Sequence, residues 1–189
     1  KEKPTDQVYT FKPTNTGEPI DMQQLASHLY SHKSYVNEID FTNIYFNQFS
    51  DLRQLLGSRK NKVATLNLSG NFSSSIADTF PQYAFDYVGF VAVLSDKYNK
   101  ITTLNLDNNS LNSFSAEVLA RLISDKNNKL KTLSLQNNLI GNEGAMALAA
   151  AFNNENCRLK SINLSRNTFN DDALAALERA ANEKKITLI

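Results

Sequence analysis

The 189-residue chain has a single cysteine, Cys157, so no disulfide can form within it. It has only two histidines, His28 and His32, and six glycines, with no glycine-rich phosphate loop. No apolar run approaches the roughly 18 to 20 residues of a membrane-spanning helix, which excludes that class. Neither sign of charge is in surplus: 20 Lys and Arg oppose 19 Asp and Glu, a formal charge of +1. That balance supplies no global reason to bind nucleic acid or an anionic membrane. The sequence begins at Lys1 without a methionine, so the lack of a visible signal peptide excludes nothing.

What is there is asparagine. The chain holds 24 Asn against 23 Leu, a polar amide outnumbering the commonest core residue. With 41% hydrophobic and 21% charged residues, the composition still suits a folded core. The Asn residues recur with a period. Ile101-Thr-Thr-Leu-Asn-Leu-Asp-Asn-Asn109, Leu130-Lys-Thr-Leu-Ser-Leu-Gln-Asn-Asn138 and Leu159-Lys-Ser-Ile-Asn-Leu-Ser-Arg-Asn167 superpose, their starts 29 residues apart. Val63-Ala-Thr-Leu-Asn-Leu-Ser-Gly-Asn71 precedes them by 38. A worn copy begins at Val36, with Ile39 and Phe41 in register and Ile44 where the others have Asn. The division expected is an N-terminal cap over 1–35, repeats starting at 36, 63, 101, 130 and 159, and a terminal strand at 186.

Within a repeat, Leu133 and Leu135 alternate with Thr132, Ser134 and Gln136, the period of a strand with one covered face. Ala145, Leu148, Ala149 and Phe152 then recur at helical spacing, one apolar stripe. Successive strands therefore lie parallel with the helices on one side, and stacking buries a face that one repeat cannot bury alone. Asn71, Asn109, Asn138 and Asn167 follow the strand, where the chain turns inward. Their amides are read as satisfying backbone groups that have lost a sheet partner.

The pattern L-x-x-L-x-L-x-x-N resembles the leucine-rich repeats, in particular the ribonuclease-inhibitor-like subclass with repeats of about 28 to 29 residues and a helix in each. The copy from Leu130 carries the fullest match, continuing through Leu139-Ile140-Gly141, Gly144, Leu148 and Phe152. The resemblance covers residues 36–189, and 6–35 weakly. It implies an α/β solenoid, a horseshoe arc with a parallel β-sheet on the concave face and helices on the convex face. In the cap, Tyr9 and Phe11 would begin a degenerate strand, with Gly17 aligned to Gly141; Leu25, Ala26 and Leu29 would form a helix started by Asp21.

Extracellular members of such a family seal their ends with disulfides, and none is possible here. Asn-x-Ser/Thr matches fall at Asn67, Asn71, Asn108 and Asn163, and a glycan on the inward-turning Asn71 would oppose folding. Both features point to a cytoplasmic protein, or one secreted into a host cytosol. The Asn- and Lys-rich composition and small size also resemble leucine-rich-repeat effectors of intracellular bacterial pathogens.

No catalytic constellation is found. His28 and His32 have the i, i+4 spacing of a metal chelate but no Glu of a zinc-protease motif between them, and solvated cap histidines explain them better. Cys157 lacks a histidine base, although a nearby cation could lower its pKa. Paired carboxylates occur as Glu38 with Asp40 on one strand and as Asp171 with Asp172 at a helix start, the second better explained by helix capping and the dipole. A non-enzyme without cofactor or metal is expected.

Three surfaces could bind. The sheet face presents Glu38, Asp40 and Thr42; Thr65, Asn67 and Ser69; Thr103, Asn105 and Asp107; Thr132, Ser134 and Gln136; and Ser161, Asn163 and Ser165. It is polar and has no aromatic anchors; a plain solvated face is the rival reading. The second surface comes from the nine extra residues of the repeat at 63, placed between Asn71 and Tyr83. There Phe72, Ile76, Phe80 and Tyr83 form either a partner loop or a self-packed plug, and Tyr45 is grouped with them. The third is a basic rim before the strands, 12 of the 20 bases against four acids. Offsetting the helix macrodipole is its favoured explanation, an acidic protein or phosphoinositide the alternative.

The reading is a non-catalytic module that binds, and inhibits or regulates, one protein such as an enzyme or a bacterial effector. Nucleic acid and membrane are not expected as ligands, and the free protein is expected to be a monomer. The alternative is a GTPase-activating, signalling or cytoskeletal scaffold whose rim loop contributes an arginine, with Arg166, after a strand end, as the candidate there.

Overall fold

The computed structural model describes residues 9–12, 25–27, 29, 36–43, 49–72 and 87–189. Among the described residues the named elements are, in chain order, β1 (Tyr9–Phe11), β2 (Val36–Asp40), α1 (Phe49–Leu56), β3 (Thr65–Asn67), α2 (Tyr87–Leu94), β4 (Thr103–Asn105), α3 (Ser113–Ile123), β5 (Thr132–Ser134), α4 (Asn142–Phe152), β6 (Ser161–Asn163), α5 (Asp171–Lys184) and β7 (Thr187–Leu188). The strands form one all-parallel sheet in sequence order, and the register is the repeat itself: Leu66, Leu104, Leu133 and Ile162 stand side by side. In the expected cap, residues 25–27 are helical, and Leu25, Ala26 and Leu29 are buried. Gly17, Asp21, His28, His32, Ile44, Tyr45, Ile76, Phe80 and Tyr83 lie outside the described residues.

The core lies between sheet and helices. Leu133, Leu135, Ala145, Leu148 and Phe152 are fully enclosed, as the two periods require. Phe90 and Leu94 of α2 are likewise buried. Helices approach closely where small residues face each other: a Cβ on Gly144 would stand 2.8 Å from the Ser113 Cα and 2.9 Å from the Ala116 Cβ.

The inward turn after each strand is held by the expected asparagines, and each reaches back to the preceding repeat. The side-chain amides of Asn71, Asn109, Asn138 and Asn167 donate to the carbonyls of Phe41, Leu68, Leu106 and Leu135 at 2.8–3.0 Å. Their Oδ1 atoms accept backbone N–H bonds from the same direction: Asn109 takes those of Asn71 and Phe72, and Asn138 those of Asn109 and Leu111. Asn167 takes that of Ile140. Just before each ladder position, and at Asn43 in the worn copy, one residue is left-handed: Asn43, Gly70, Asn108, Asn137 and Arg166, with φ of 54° to 70°. At Gly70 a Cβ would also meet the Asn43 side chain, which favours glycine there.

A second asparagine column lies at the helix-to-strand turns. Asn readily takes the left-handed conformation that ends many helices, but the C-cap Asn153 is right-handed at φ −77°, and among the described residues the left-handed helix end is Lys185. Instead Asn61, Asn99 and Asn128, all buried, bridge the turn. Their Nδ2 atoms donate to the last carbonyls of the helices, Leu56, Leu94 and Ile123. Their Oδ1 atoms accept from the first residues of the next repeat, Val63, Ile101 and Leu130. Cys157 occupies this register in the following repeat, where a thiol stands in place of the amide.

Two stability predictions follow from these contacts. Leu133→Ala should cost about 2–5 kcal/mol in denaturant unfolding, while Gln136→Ala should stay within about 0.5 kcal/mol; a near-zero loss at Leu133 would contradict the core. Cys157→Asn, which restores the missing donor to the Phe152 carbonyl, should gain about 0.5–1.5 kcal/mol; a net loss would contradict the column.

Candidate functional site

Parallel pairing arranges the sheet-face residues into rows. Glu38, Thr65, Thr103, Thr132 and Ser161 make one; Asp40, Asn67, Asn105, Ser134 and Asn163 make the next. At the usual strand spacing of about 4.8 Å, five rungs span about 20 Å. Thr42, Ser69, Asp107, Gln136 and Ser165 follow at the strand exits. The structure thus brings together all the sheet-face residues singled out in the sequence.

The rows differ in how free their polar atoms are. In the second row, the side-chain oxygen turns back to end its own strand. The Oδ1 atoms of Asp40, Asn67, Asn105 and Asn163 accept the N–H two residues on, at 2.8–3.0 Å. Ser134 instead donates outward, and the neighbouring repeat supplies the acceptor: Asp107 Oδ1 takes both the Ser134 hydroxyl at 2.6 Å and the Gln136 N–H at 2.7 Å. The acceptors of this row are therefore structural. The first row is freer: its threonines and Ser161 end no strand, and Thr132 is exposed.

At the β2 end, Lys12 pairs with Asp40 at 2.8 Å. Partial burial alone would raise the Asp40 carboxyl. Hydrogen bonds from Lys12 and Thr42, with the Lys12 charge, outweigh it and hold the group below its ordinary value.

The remaining candidates separate. Phe72, read as part of either a partner loop or a self-packed plug, is buried at 4% exposure and packs in the core. Arg166 is exposed but left-handed at φ 58°, the one ladder-preceding residue that is neither Asn nor Gly. Tyr45, Phe80 and Tyr83 belong to the residues not described. The Cys157 thiol is pushed up by burial, which opposes a thiolate nucleophile. Asp171 and Asp172 occupy the first turn of α5, but the cap itself is Asn170, whose Oδ1 accepts from Ala173 N. No helix among the described residues is long and apolar enough to cross a membrane.

Two features had no signal in the repeat pattern. Phe114, Leu139 and Met146 are half exposed, at 50–55%. A groove of about 940 Å³ lies on the outer side of the last strand and helix, lined by Phe169, Leu174, Glu178, Lys185 and Leu188.

Repetition of strand, asparagine turn and helix in one open parallel sheet defines a leucine-rich-repeat solenoid. Residues 126–149 and 155–177 match the family model described as Leucine Rich repeat. Among solved structures, the chain is similar to leiomodin-1 actin-binding site 2, with 13% identity and a TM-score of 0.50, over 90% of this chain and 79% of that one. At that identity the likeness is one of fold. No curated protein sequence matches the chain.

The Asp40 geometry carries a pH prediction. Because its folded pKa is depressed, the stability it contributes is present near neutral pH and is lost as pH falls through the folded value, below about pH 4. The advantage of wild type over Asp40→Asn in thermal unfolding should therefore shrink in acid; a constant difference would contradict the assignment.

Proposed function

We propose that the protein is a non-catalytic module of the ribonuclease-inhibitor-like subclass that binds one protein partner on its sheet face. The observation that carries this is the sheet itself. All-parallel sheets are ordinarily covered on both faces, and here one face is covered by helices while the other presents short polar side chains in register. A surface about 20 Å wide without an enclosed cavity suits a macromolecule better than a small ligand. Since the second row is committed to strand ends, the partner contact centres on Thr65, Thr103, Thr132 and Ser161, with Glu38 at one end. Covering such a partner would inhibit or regulate it; the partner is an enzyme or, if the chain is a bacterial effector, another effector or a host enzyme.

The test is the double variant Thr103→Arg/Thr132→Arg, which places two adjacent bulky charges on the first row without touching a strand-ending residue. A protein captured by the wild type from its native cell should be lost from the folded variant, at a cost of about ten-fold or more in affinity. Equal capture would sink the placement. The cytoskeletal alternative draws on the leiomodin-1 likeness; co-sedimentation with actin filaments would favour it over the enzyme-partner reading.

A further inference from the structure

The basic rim is explained in the sequence by compensation of helix dipoles, and among these bases the structure fits that explanation best to Lys184 and Lys185 at the end of α5. Dipole effects fade within one helical turn. Lys62, Lys100, Lys129 and Arg158 each stand six residues beyond the ends of α1, α2, α3 and α4. The last turns of α2 and α4 carry no base at all. The terminal carbonyls of α1, α2 and α3 are met by the buried Asn column instead.

What the rim has is one base just before each start from the repeat at 63 onward, the terminal strand included: Lys62, Lys100, Lys129, Arg158 and Lys185. A second pair sits just inside, where Lys160 N donates to Lys131 O at 2.7 Å, so those two residues are direct neighbours. Adjacent turns stack closely enough for the Lys129 ammonium to reach the Lys97 and Asn99 carbonyls of the preceding one. Like charges stacked at such spacing repel each other. Lys62 aside, none of these bases pairs with an acid among the described residues, where the one ion pair is Lys12–Asp40. The nearest acids are occupied: Asp96 and Asp125 accept the backbone N–H bonds of Tyr98 and Asn127. Part of the rim is also held in place. The Arg59 guanidinium donates to the Tyr98 hydroxyl at 2.8 Å and lies 5.3 Å from its ring centre, with the Lys97 ammonium at 5.0 Å.

We infer that this rim is a docking stripe for an acidic, extended segment of a partner protein. Twelve bases face four acids along one edge of a chain whose formal charge is only +1. Ten of the twelve are lysine, point charges that tolerate carboxylates at variable spacing, whereas planar recognition of phosphate favours arginine. Insertion into a lipid surface would need exposed apolar side chains beside the charges. Those among the described residues, Phe114, Leu139, Met146, Leu174 and Ile189, are not among the turns that form the rim. Pre-placed cations lower the ordering cost of binding. The stripe is separate from the sheet face and does not depend on it.

Fluorescein-labelled polyglutamate, titrated with the full chain and followed by anisotropy, tests the stripe. Binding should weaken about ten-fold or more between about 50 and 300 mM salt. Lys100→Glu/Arg158→Glu/Lys160→Glu should weaken it about ten-fold or more, while the charge-matched Arg53→Glu/Arg121→Glu/Arg179→Glu stays within about two-fold. Thr103→Arg/Thr132→Arg should leave it intact, which separates this surface from the sheet face. If circular dichroism shows the triple variant unfolded, the single variants Lys100→Glu and Lys160→Glu make the same comparison. Absence of saturable binding, equal loss in the two charge-matched variants, or tighter binding of single-stranded RNA or phosphatidylserine vesicles would overturn the inference.

Discussion

The structure depends on one bond set: a carboxamide that faces two repeats at once. A three-residue strand pairs few backbone groups, and the chain must turn inward immediately after it. The groups left over would be buried without partners, at about 1–3 kcal/mol each. Asn109 and Asn138 resolve this by donating to a carbonyl of the preceding repeat and accepting two of its N–H groups. Because donor and acceptor both lie in the neighbour, the satisfaction of one repeat requires the presence of the next. Stacking is therefore specified by polar bonds as well as by the shared leucine core, and the repeats cannot slide past one another without breaking both.

The rest of the backbone adapts to that bond. To aim the carboxamide inward, the residue before it takes a left-handed conformation, which favours Asn or Gly and explains the Asn-Asn and Gly-Asn pairs. The strand must also end on cue, and Asp40, Asn67, Asn105 and Asn163 end it by bonding their own backbone. At the other end of each repeat, Asn61, Asn99 and Asn128 close the helix onto the next strand. The asparagine excess is thus the sum of several columns, each serving a different bond. Leucine fills what these columns enclose.

Periodicity made the strands, helices and inward ladder readable, because Leu at two-residue spacing and Ala, Leu and Phe at helical spacing leave few alternatives. It was less informative where one residue type performs several tasks. Asn99 and Asn128 look like flexible helix ends in a sequence, since nothing local shows that Leu94, Ile101, Ile123 and Leu130 will converge on their side chains. Phe72 follows the ladder at the edge of the longer repeat, so its sequence neighbours suggested a loop, but its exposure depends on packing that no local pattern reports. The substitution of Ser134 was legible only as a smaller polar residue; that Asp107 compensates for it from the neighbouring strand requires the register.

These commitments also bear on where a partner can be recognised. A polar sheet face is rich in hydrogen-bonding groups, but its second row is already spent on strand ends, and replacing those residues would alter the fold along with the surface. Variation without structural consequence is possible mainly in the first row and on the rim. The first row is neutral apart from Glu38 at its end, while the rim concentrates cations most of which stand beyond any helix end. Short-range shape and long-range attraction are therefore carried by different parts of each repeat. The same 29-residue period that stacks the leucines sets the spacing of both, so a partner that follows the sheet face would meet the charges at each repeat in turn.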